Sequence, residues 1–147
     1  MEKIKKLREK TGAGVMDIKK ALDGADGDEK KAEELLKARG VEIAEKKSDR
    51  VTSNGLIDCY LHLGKVGAMV EVNCETDFVA RNEDFKKFVH EVALQVASSD
   101  AETVEDLLEE EYFKEPGTTI ADLLQAAIQK TGENIKIKRF SRFVLGE

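Results

Sequence analysis

The stretch LIDCYLHLGKVGAMVEVN, residues 56–73, decides the fold of this chain. It contains two apolar runs around Gly64-Lys65, a pair that favours a two-residue type II′ turn because the glycine comes first. Such a turn pairs Leu63 with Val66 and continues outward in steps of two. The predicted apolar face then consists of Leu63, Leu61, Cys59 and Ile57 opposite Val66, Ala68, Val70 and Val72. Because every member is apolar, the register is self-consistent, and the stretch predicts an antiparallel hairpin with one buried face.

Residues 134–145 predict a third strand, because their side chains alternate in character. In the predicted hairpin Asp58 lies opposite Glu71, which is unfavourable unless a cation is near. If the third strand joins the hairpin, Lys136 and Lys138 can lie beside the two acids and relieve their repulsion. The mixed polar and apolar face of the resulting sheet is a candidate dimer interface, formed by Leu56, Tyr60, Met69, Phe140 and Val144.

Three helices are predicted between the hairpin and the last strand. The strongest periodicity in the chain follows Asn82, a good N-cap, since apolar residues recur over 85–97 with helical spacing. An acidic helix covers about 104–112, and another begins at Thr119 with a capping box. The predicted fold class is therefore α+β, with the order β-β-α-α-α-β in this part and the helices on the apolar face of a three-stranded antiparallel sheet.

The N-terminal part of the chain reads as a separate module of three short helices. Gly12, Gly24 and Gly40 are the predicted helix stops, and Asp28 is the predicted N-cap of the third helix. A charged polar stretch follows, and beyond it acidic residues predominate over basic ones. We predict a three-helix module at 1–44, a linker at 45–53 and a sheet-and-helix domain at 54–147.

The composition argues against several classes of protein. With 24 Lys+Arg against 30 Asp+Glu the net charge is -6, which argues against nucleic acid as the main partner. No apolar run approaches the roughly 20 residues that span a bilayer, and Met1 opens directly into charged sequence without a signal peptide. We therefore expect a cytoplasmic protein that does not associate with membranes. Cys59 and Cys74 fit no metal-ligand spacing with the two histidines, and the hairpin register makes a disulfide between them unfavourable.

No catalytic or cofactor-binding motif stands out in the sequence. Gly12-Ala13-Gly14 is not a phosphate loop, because no strand precedes it and no Gly-Lys-Ser/Thr follows. We expect a protein that is not an enzyme, with no catalytic residue, no metal and no cofactor. The basic and aromatic residues of 136–143 could indicate RNA binding, but strand alternation explains them more simply.

The segment Thr76-Asp77-Phe78-Val79 lies between a strand end and the N-cap of the most periodic helix. Thr76 can cap a single helical turn, with Asp77 near its positive end. Two interpretations of the apolar pair are open. On the residues alone we favour packing of Phe78 and Val79 over the core, and exposure as a binding element is the alternative.

Two long stretches of the chain resemble the signatures of the elongation factor Ts family. Residues 7–22, LREKTGAGVMDIKKAL, resemble the N-terminal signature, and residues 71–82, EVNCETDFVARN, resemble the second. Shorter similarities lie at 44–47 and at 132–135, followed by Arg139-Phe140. Two long signatures in the right order are far more specific than any short motif.

The resemblance implies a translation elongation factor, and specifically the guanine-nucleotide exchange factor of elongation factor Tu. It implies that the three-helix module is similar to ubiquitin-associated domains and docks on the partner's GTPase domain, with Val15 and Met16 as apolar contacts and Lys19 as a polar one. It also implies that the segment Thr76-Asp77-Phe78-Val79 displaces Mg²⁺ from elongation factor Tu. Phe78 would enter near the nucleotide site, supported by the preceding acid, and the protein itself would bind no nucleotide.

Two departures from the family pattern bear on assembly and activity. Long members carry two copies of the sheet-and-helix core, whereas this chain has one, which implies a homodimer as in short members. Short members have a longer helical insert where this chain passes quickly from Glu111 to Thr119. The alternative to an exchange factor is therefore a homodimeric adaptor that keeps the fold and lacks exchange activity.

Overall fold

The computed structural model describes all 147 residues and has the predicted α+β architecture. Three strands, β1 (Asn54–His62), β2 (Val66–Cys74) and β3 (Ile135–Val144), form one antiparallel sheet in the order β1-β2-β3. The helices are α1 (Glu2–Thr11), α2 (Val15–Gly24), α3 (Glu29–Lys47), α4 (Asp77–Ala80), α5 (Glu83–Ala97), α6 (Val104–Glu109) and α7 (Ile120–Thr131). Helices α4–α7 connect β2 to β3, and α5 packs along the hairpin. No helix combines the length and the apolar composition needed to cross a bilayer.

The hairpin forms, but its register differs by one residue from the prediction. Strand β1 ends at His62, so the loop holds three residues, Leu63, Gly64 and Lys65. Leu63 and Gly64 both have positive φ, 52° and 68°, and the Lys65 N–H donates to the His62 carbonyl at 2.9 Å. Lys65 is the additional loop residue, and its own carbonyl accepts a hydrogen bond from Leu145 N–H at 2.8 Å. The predicted two-residue turn is therefore wrong, because a contact with the end of β3 accommodates the third residue.

The slip reverses the two faces of β1, since successive strand residues point to opposite sides of a sheet. Leu56, Tyr60 and Phe140 pack against the core on the helix side, whereas Met69 points away from it. The predicted dimer interface is therefore wrong as a surface, because its members lie on both faces. The surface turned away from the helices, which we name the outer face, is formed by Ile57, Cys59, Leu61, Met69 and Phe143.

Asp58 and Glu71 are separated by the same slip. Asp58 Oδ2 lies on the helix side, 3.0 Å from His90 Nδ1 on α5. Glu71 accepts a hydrogen bond from Arg139 Nε at 2.8 Å, so an arginine of β3 neutralises it instead of the two lysines that the sequence suggested. Hydrogen bonds from Asn73 and Arg139 hold the pKa of Glu71 below its ordinary value.

Strand β3 contains a bulge that its alternation pattern conceals. The register with β2 shifts between Glu71 and Val72, and Lys138 has no partner in the ladder. As a result Ile137 before the bulge and Phe140 after it both contact the core, although they are an odd number of residues apart. The bulge explains why the predicted alternation fails at this point.

The predicted N-caps are confirmed. The Asp28 and Asn82 side chains each accept hydrogen bonds from two backbone N–H groups at the starts of α3 and α5. Thr119 and Asp122 form a reciprocal capping box at the start of α7. These caps were predictable because donor and acceptor lie within three residues of each other.

Two predicted helix ends are wrong. Helix α6 ends at Glu109, earlier than expected. Helix α3 continues through Gly40 to Lys47. Gly40 lies buried where α3 packs on α7, and a Cβ there would meet only the movable end of the Gln129 side chain, at 2.6 Å. The glycine is thus an interior residue of α3 and does not end the helix.

Two hydrophobic cores lie side by side. The larger fills the space between the sheet and helices α4–α7. The smaller joins α1, α2 and α3 and consists of Leu7, Ala13, Ile18, Ala21, Ala25, Ala32 and Leu36. Helices α1 and α3 also pack on α7, so α7 contacts both the N-terminal bundle and the sheet-based core.

Candidate functional site

The segment Thr76-Asp77-Phe78-Val79 forms the single turn of α4 directly after β2. Thr76 caps the turn as predicted, since its Oγ1 accepts a hydrogen bond from Val79 N–H at 3.2 Å. Val79 is buried in the larger core, whereas Phe78 is 80% exposed. Neighbouring residues of a helix project about 100° apart, so burial of Val79 and Ala80 turns Phe78 outward. Packing of Phe78 over the core, the interpretation favoured from the residues alone, is therefore wrong, and that of Val79 is right.

Asp77 is the first residue of α4, where the helix dipole favours a negative charge. Its Oδ2 lies 2.9 Å from the Arg81 guanidinium, one turn further along. Both side chains are largely exposed, so this ion pair adds little to stability. The carboxylate thus stays accessible beside Phe78.

Glu133, in the turn after α7, binds the residues at the start of the Thr76–Val79 segment. Its Oε1 accepts hydrogen bonds from the backbone N–H groups of Glu75 and Thr76, at 3.1 and 3.0 Å. Its Oε2 accepts a third from the Thr76 hydroxyl at 2.7 Å. A carboxylate has acceptor capacity for all three donors, so one side chain binds two backbone N–H groups and one hydroxyl immediately before α4.

The turn after α7 that contains Glu133 also contacts the end of α3 and the connector that follows it. Glu75 Oε1 accepts from Asn134 N–H at 2.7 Å and lies 3.5 Å from the Arg50 guanidinium. The side-chain amide of Asn134 donates to the Arg50 carbonyl at 2.9 Å. Lys47 Nζ donates to the Gly132 carbonyl at 2.6 Å. The end of α7 therefore binds both the candidate segment and the end of the N-terminal bundle.

Cys74 completes the support beneath α4. Its buried thiol donates to the Thr76 carbonyl at 3.2 Å. Burial, and next the nearby Glu133 carboxylate, raise the pKa of this thiol to about 11. The group therefore remains protonated at neutral pH and keeps its donor role.

The predicted docking residues Val15, Met16 and Lys19 lie at the start of α2. Ile18 of the same helix is completely buried in the smaller core, which turns the neighbouring positions outward. Met16 is 66% exposed, Lys19 is exposed, and Val15 is 37% exposed. The start of α2 therefore exposes an apolar side chain, Met16, and a cation, Lys19, three residues apart on the helix.

The structure places the two predicted groups of site residues on different elements. No hydrogen bond or ion pair joins the α2 group to the α4 segment. Sequence reasoning missed Glu133, which acts on Thr76 across 57 positions of the chain. No local spacing could reveal that contact, although Glu133 lies within a stretch that resembles the family.

The outer face of the sheet is a third exposed apolar surface. Leu61 and Phe143 are 69% and 78% exposed, and they border a groove of about 430 Å³ with Met69. The Glu71–Arg139 pair lies beside this groove and neutralises its own charges. The surface is therefore both apolar and locally balanced in charge.

Together the fold and these surfaces define an α+β protein with an N-terminal three-helix bundle and a rigidly held turn that exposes one aromatic side chain. The His, Cys, Asp and Glu side chains form no group of three or more that could hold a metal ion. The candidate site therefore consists of exposed side chains positioned by a hydrogen-bond network.

Comparison with known proteins identifies the family to which this chain belongs. A family model described as elongation factor TS matches residues 75–147. An elongation factor Ts of Acaryochloris marina is 43% identical, over 98% of this chain and 80% of that protein. One of Desulfosudis oleivorans is 40% identical, over 98% and 96%. The chain belongs to the elongation factor Ts family, which places it among the translation elongation factors.

The relatives differ in length from this chain. A Clostridium kluyveri elongation factor Ts is 49% identical, but the chain spans only 47% of that protein. The alignment with the Acaryochloris protein covers 191 positions although this chain has 147 residues, so that relative has residues without a counterpart here. In this chain Glu111 and Thr119 are paired across a β-bridge, which closes the short connection that the sequence predicted between them.

Proposed function

We propose that this chain is a guanine-nucleotide exchange factor that promotes release of GDP and Mg²⁺ from elongation factor Tu and stabilises its nucleotide-free state. The observation that carries the proposal is the exposure of Phe78 on a turn that is fixed from both sides. The buried Val79 anchors the turn, and the Glu133 carboxylate binds the two residues that lead into it. An aromatic side chain held in water in this way is available for insertion into a partner.

Insertion of Phe78 is favourable because it removes a large apolar side chain from water. Complete burial of such a side chain contributes roughly 1.5–3 kcal/mol. In the proposed mechanism that gain is realised only when the partner opens its Mg²⁺ site, so it favours the open state. Asp77, which is exposed beside Phe78, adds a negative charge close to the displaced cation. In the same proposal Thr76 and Val79 hold the turn in position.

Reciprocal linkage then explains exchange without any chemistry by this chain. A protein that binds nucleotide-free elongation factor Tu more tightly than the GDP complex must weaken GDP binding by the same factor. The proposal therefore requires no bound nucleotide, metal or catalytic residue in the exchange factor itself. Its partner is a protein, and the net charge of -6 argues against nucleic acid as an alternative partner.

Docking is assigned to α2. Met16 and Val15 provide apolar area and Lys19 provides a cation at the edge of that area. Because α2 belongs to the smaller core and α4 to the larger one, docking and insertion use separate surfaces. Loss of one surface should then weaken a different step from loss of the other.

We further propose that two copies associate through the outer face. A face shared by two copies across a two-fold axis covers its own apolar side chains, and the Glu71–Arg139 pair needs no partner charge. Exposed contiguous apolar patches on soluble proteins commonly mark such interfaces. The homodimeric adaptor without exchange activity has no support among the relatives, which are named elongation factor Ts.

The experiment that tests the function is release of fluorescent GDP from elongation factor Tu. The rate is measured with excess unlabelled GDP at increasing concentrations of this chain. We expect the rate to rise and saturate. Complex formation without acceleration would favour the adaptor, and the absence of both binding and acceleration would overturn the proposal.

A further inference from the structure

We propose that Glu133 is a positioning residue for the Phe78 turn, an inference that rests on the exchange function proposed above. The Glu133 carboxylate binds Glu75 and Thr76 and makes no hydrogen bond to Phe78. It acts through Thr76, which connects β2 to α4. Its effect on exchange is therefore expected through the orientation of the turn.

The first argument is the arrangement of donors around one carboxylate. Glu75 N–H and Thr76 N–H converge on Oε1, and the Thr76 hydroxyl donates to Oε2. Because the two consecutive backbone N–H groups and the Thr76 hydroxyl all converge on one carboxylate, the backbone dihedral angles at this junction are restricted. The carboxylate thus fixes the direction in which the chain leaves β2.

The second argument is the double role of the Thr76 hydroxyl. It donates its only proton to Glu133, which leaves its oxygen free to accept from Val79 N–H at 3.2 Å. Helix α4 has four residues, too few to be stable without its cap and its tertiary contacts. The hydrogen bond from Thr76 to Glu133 therefore orients the cap on which the Phe78 turn depends.

The third argument is the fixed position of Glu133 itself. Helix α7 ends at Thr131, and the carbonyl of its C-cap, Gly132, accepts a hydrogen bond from Lys47 Nζ. Asn134 on the other side donates its N–H to Glu75 and its side-chain amide to the connector. Because both neighbours of Glu133 are held, its carboxylate is a rigid reference point for the turn and not a mobile surface group.

The test compares Glu133→Ala with the matched control Glu102→Ala, an exposed carboxylate before α6. For each variant the maximal rate of GDP release and the half-saturating concentration are measured separately. We expect Glu133→Ala to lower the maximal rate by about tenfold and to change half-saturation by less than about threefold, because docking by α2 persists. An unchanged maximal rate in the folded variant, or a defect confined to half-saturation, overturns the proposal.

A double-mutant cycle separates positioning from general destabilisation. In the background of Phe78→Ala, the further change Glu133→Ala should have no additional effect on the maximal rate, since the positioned group is already absent. Additive losses would show that Glu133 acts by another route. If Glu133→Ala does not fold, Thr76→Val removes the hydrogen bond to Glu133 together with the cap on Val79 N–H. Its maximal rate should then fall, and an unchanged maximal rate overturns the proposal.

Amide hydrogen exchange in the free protein tests the geometry without elongation factor Tu. Glu133→Ala should abolish protection of the Thr76 and Val79 amides while protection in α5 is retained. Retained protection at both amides contradicts the inference even if the wild-type chain is an active exchange factor. Conversely, lost protection in a protein whose wild type does not accelerate GDP release would reject the exchange function and leave the positioning contact established.

Discussion

Gly12 at the end of α1 lies directly against the backbone of Ala126 in α7. A Cβ built on Gly12 would be 2.4 Å from the Ala126 carbonyl oxygen, and the φ of Gly12 is 72°. Only glycine meets both conditions without strain, because it tolerates a left-handed conformation and has no side chain to collide. This contact fixes the N-terminal bundle, which includes Met16, against α7. Glu133 lies in the turn that follows the C-terminal end of the same helix.

The first prediction concerns this contact. Gly132→Ala is the matched control, since Gly132 also ends a helix at a φ of 75° but has open space around it. We expect Gly132→Ala to lower the free energy of unfolding by about 1–2 kcal/mol, the left-handed strain alone. Gly12→Ala should lower it distinctly more, because the backbone of α7 must move. Equal losses in denaturant titrations would show that the bundle does not press on α7 in solution.

The second prediction concerns docking by α2. Met16→Asp places a charge on the exposed apolar position without disturbing the buried Ile18, so binding to elongation factor Tu should weaken by tenfold or more, about 1.4 kcal/mol. Ala38→Asp, an exposed apolar-to-acid change in α3, is the control and should bind normally. Calorimetric titration measures both affinities. Normal affinity of a folded Met16→Asp protein would remove α2 from the docking surface.

The third prediction concerns assembly through the outer face. Leu61→Glu would place a carboxylate inside the proposed interface, where desolvation opposes the charged form, and should dissociate the dimer. Val51→Glu adds the same charge at an exposed site outside the sheet and should leave the dimer intact. Sedimentation equilibrium reports both masses. A wild-type chain that is monomeric at high micromolar concentration would refute the homodimer.

The fourth prediction concerns the two thiols. Cys59 is exposed and Cys74 is buried, with a pKa raised to about 11 by desolvation and the nearby acid. Since the thiolate is the reactive form, Cys74 should not react with a thiol reagent in native protein at pH 7–8. Native Cys59→Ser protein should therefore give no rapid signal and one thiol after unfolding. Rapid labelling of that variant before unfolding would show that the Cys74 site is open.

Local chemistry made much of the fold predictable. The caps at Asp28, Asn82 and Thr119 involve partners within three residues. The apolar periodicity of residues 85–97 predicted α5, because the apolar positions are the ones that the helix buries. The order of strands and helices follows from these signals. The family resemblance identified Phe78 and Met16 as candidate contacts, and their exposure in the structure agrees with that assignment without testing it.

The errors arise where distant residues decide. The pattern favoured burial of the all-apolar face of Ile57, Cys59 and Leu61, but the structure turns that face outward. The contact between Lys65 and Leu145, which accommodates the three-residue loop, lies outside the hairpin. Gly40 was predicted to end a helix from its residue type alone, but α3 continues past it where the helix packs on α7. The action of Glu133 on Thr76 is equally non-local. In each case the deciding partner lies far away in sequence.

The insertion of Phe78 is the central claim, and one variant tests it most directly. Phe78→Ala should leave thermal unfolding almost unchanged, because the side chain is already exposed. Phe113→Ala, a half-exposed phenylalanine in the loop after α6, is the matched control.

The decisive measurement is the maximal rate of stimulated GDP release by the Phe78→Ala protein. We expect that rate to fall by about tenfold or more while the complex still forms, since docking through α2 is retained. The Phe113→Ala control should release GDP at the wild-type rate. A Phe78→Ala protein with normal melting and a normal maximal rate would contradict the account.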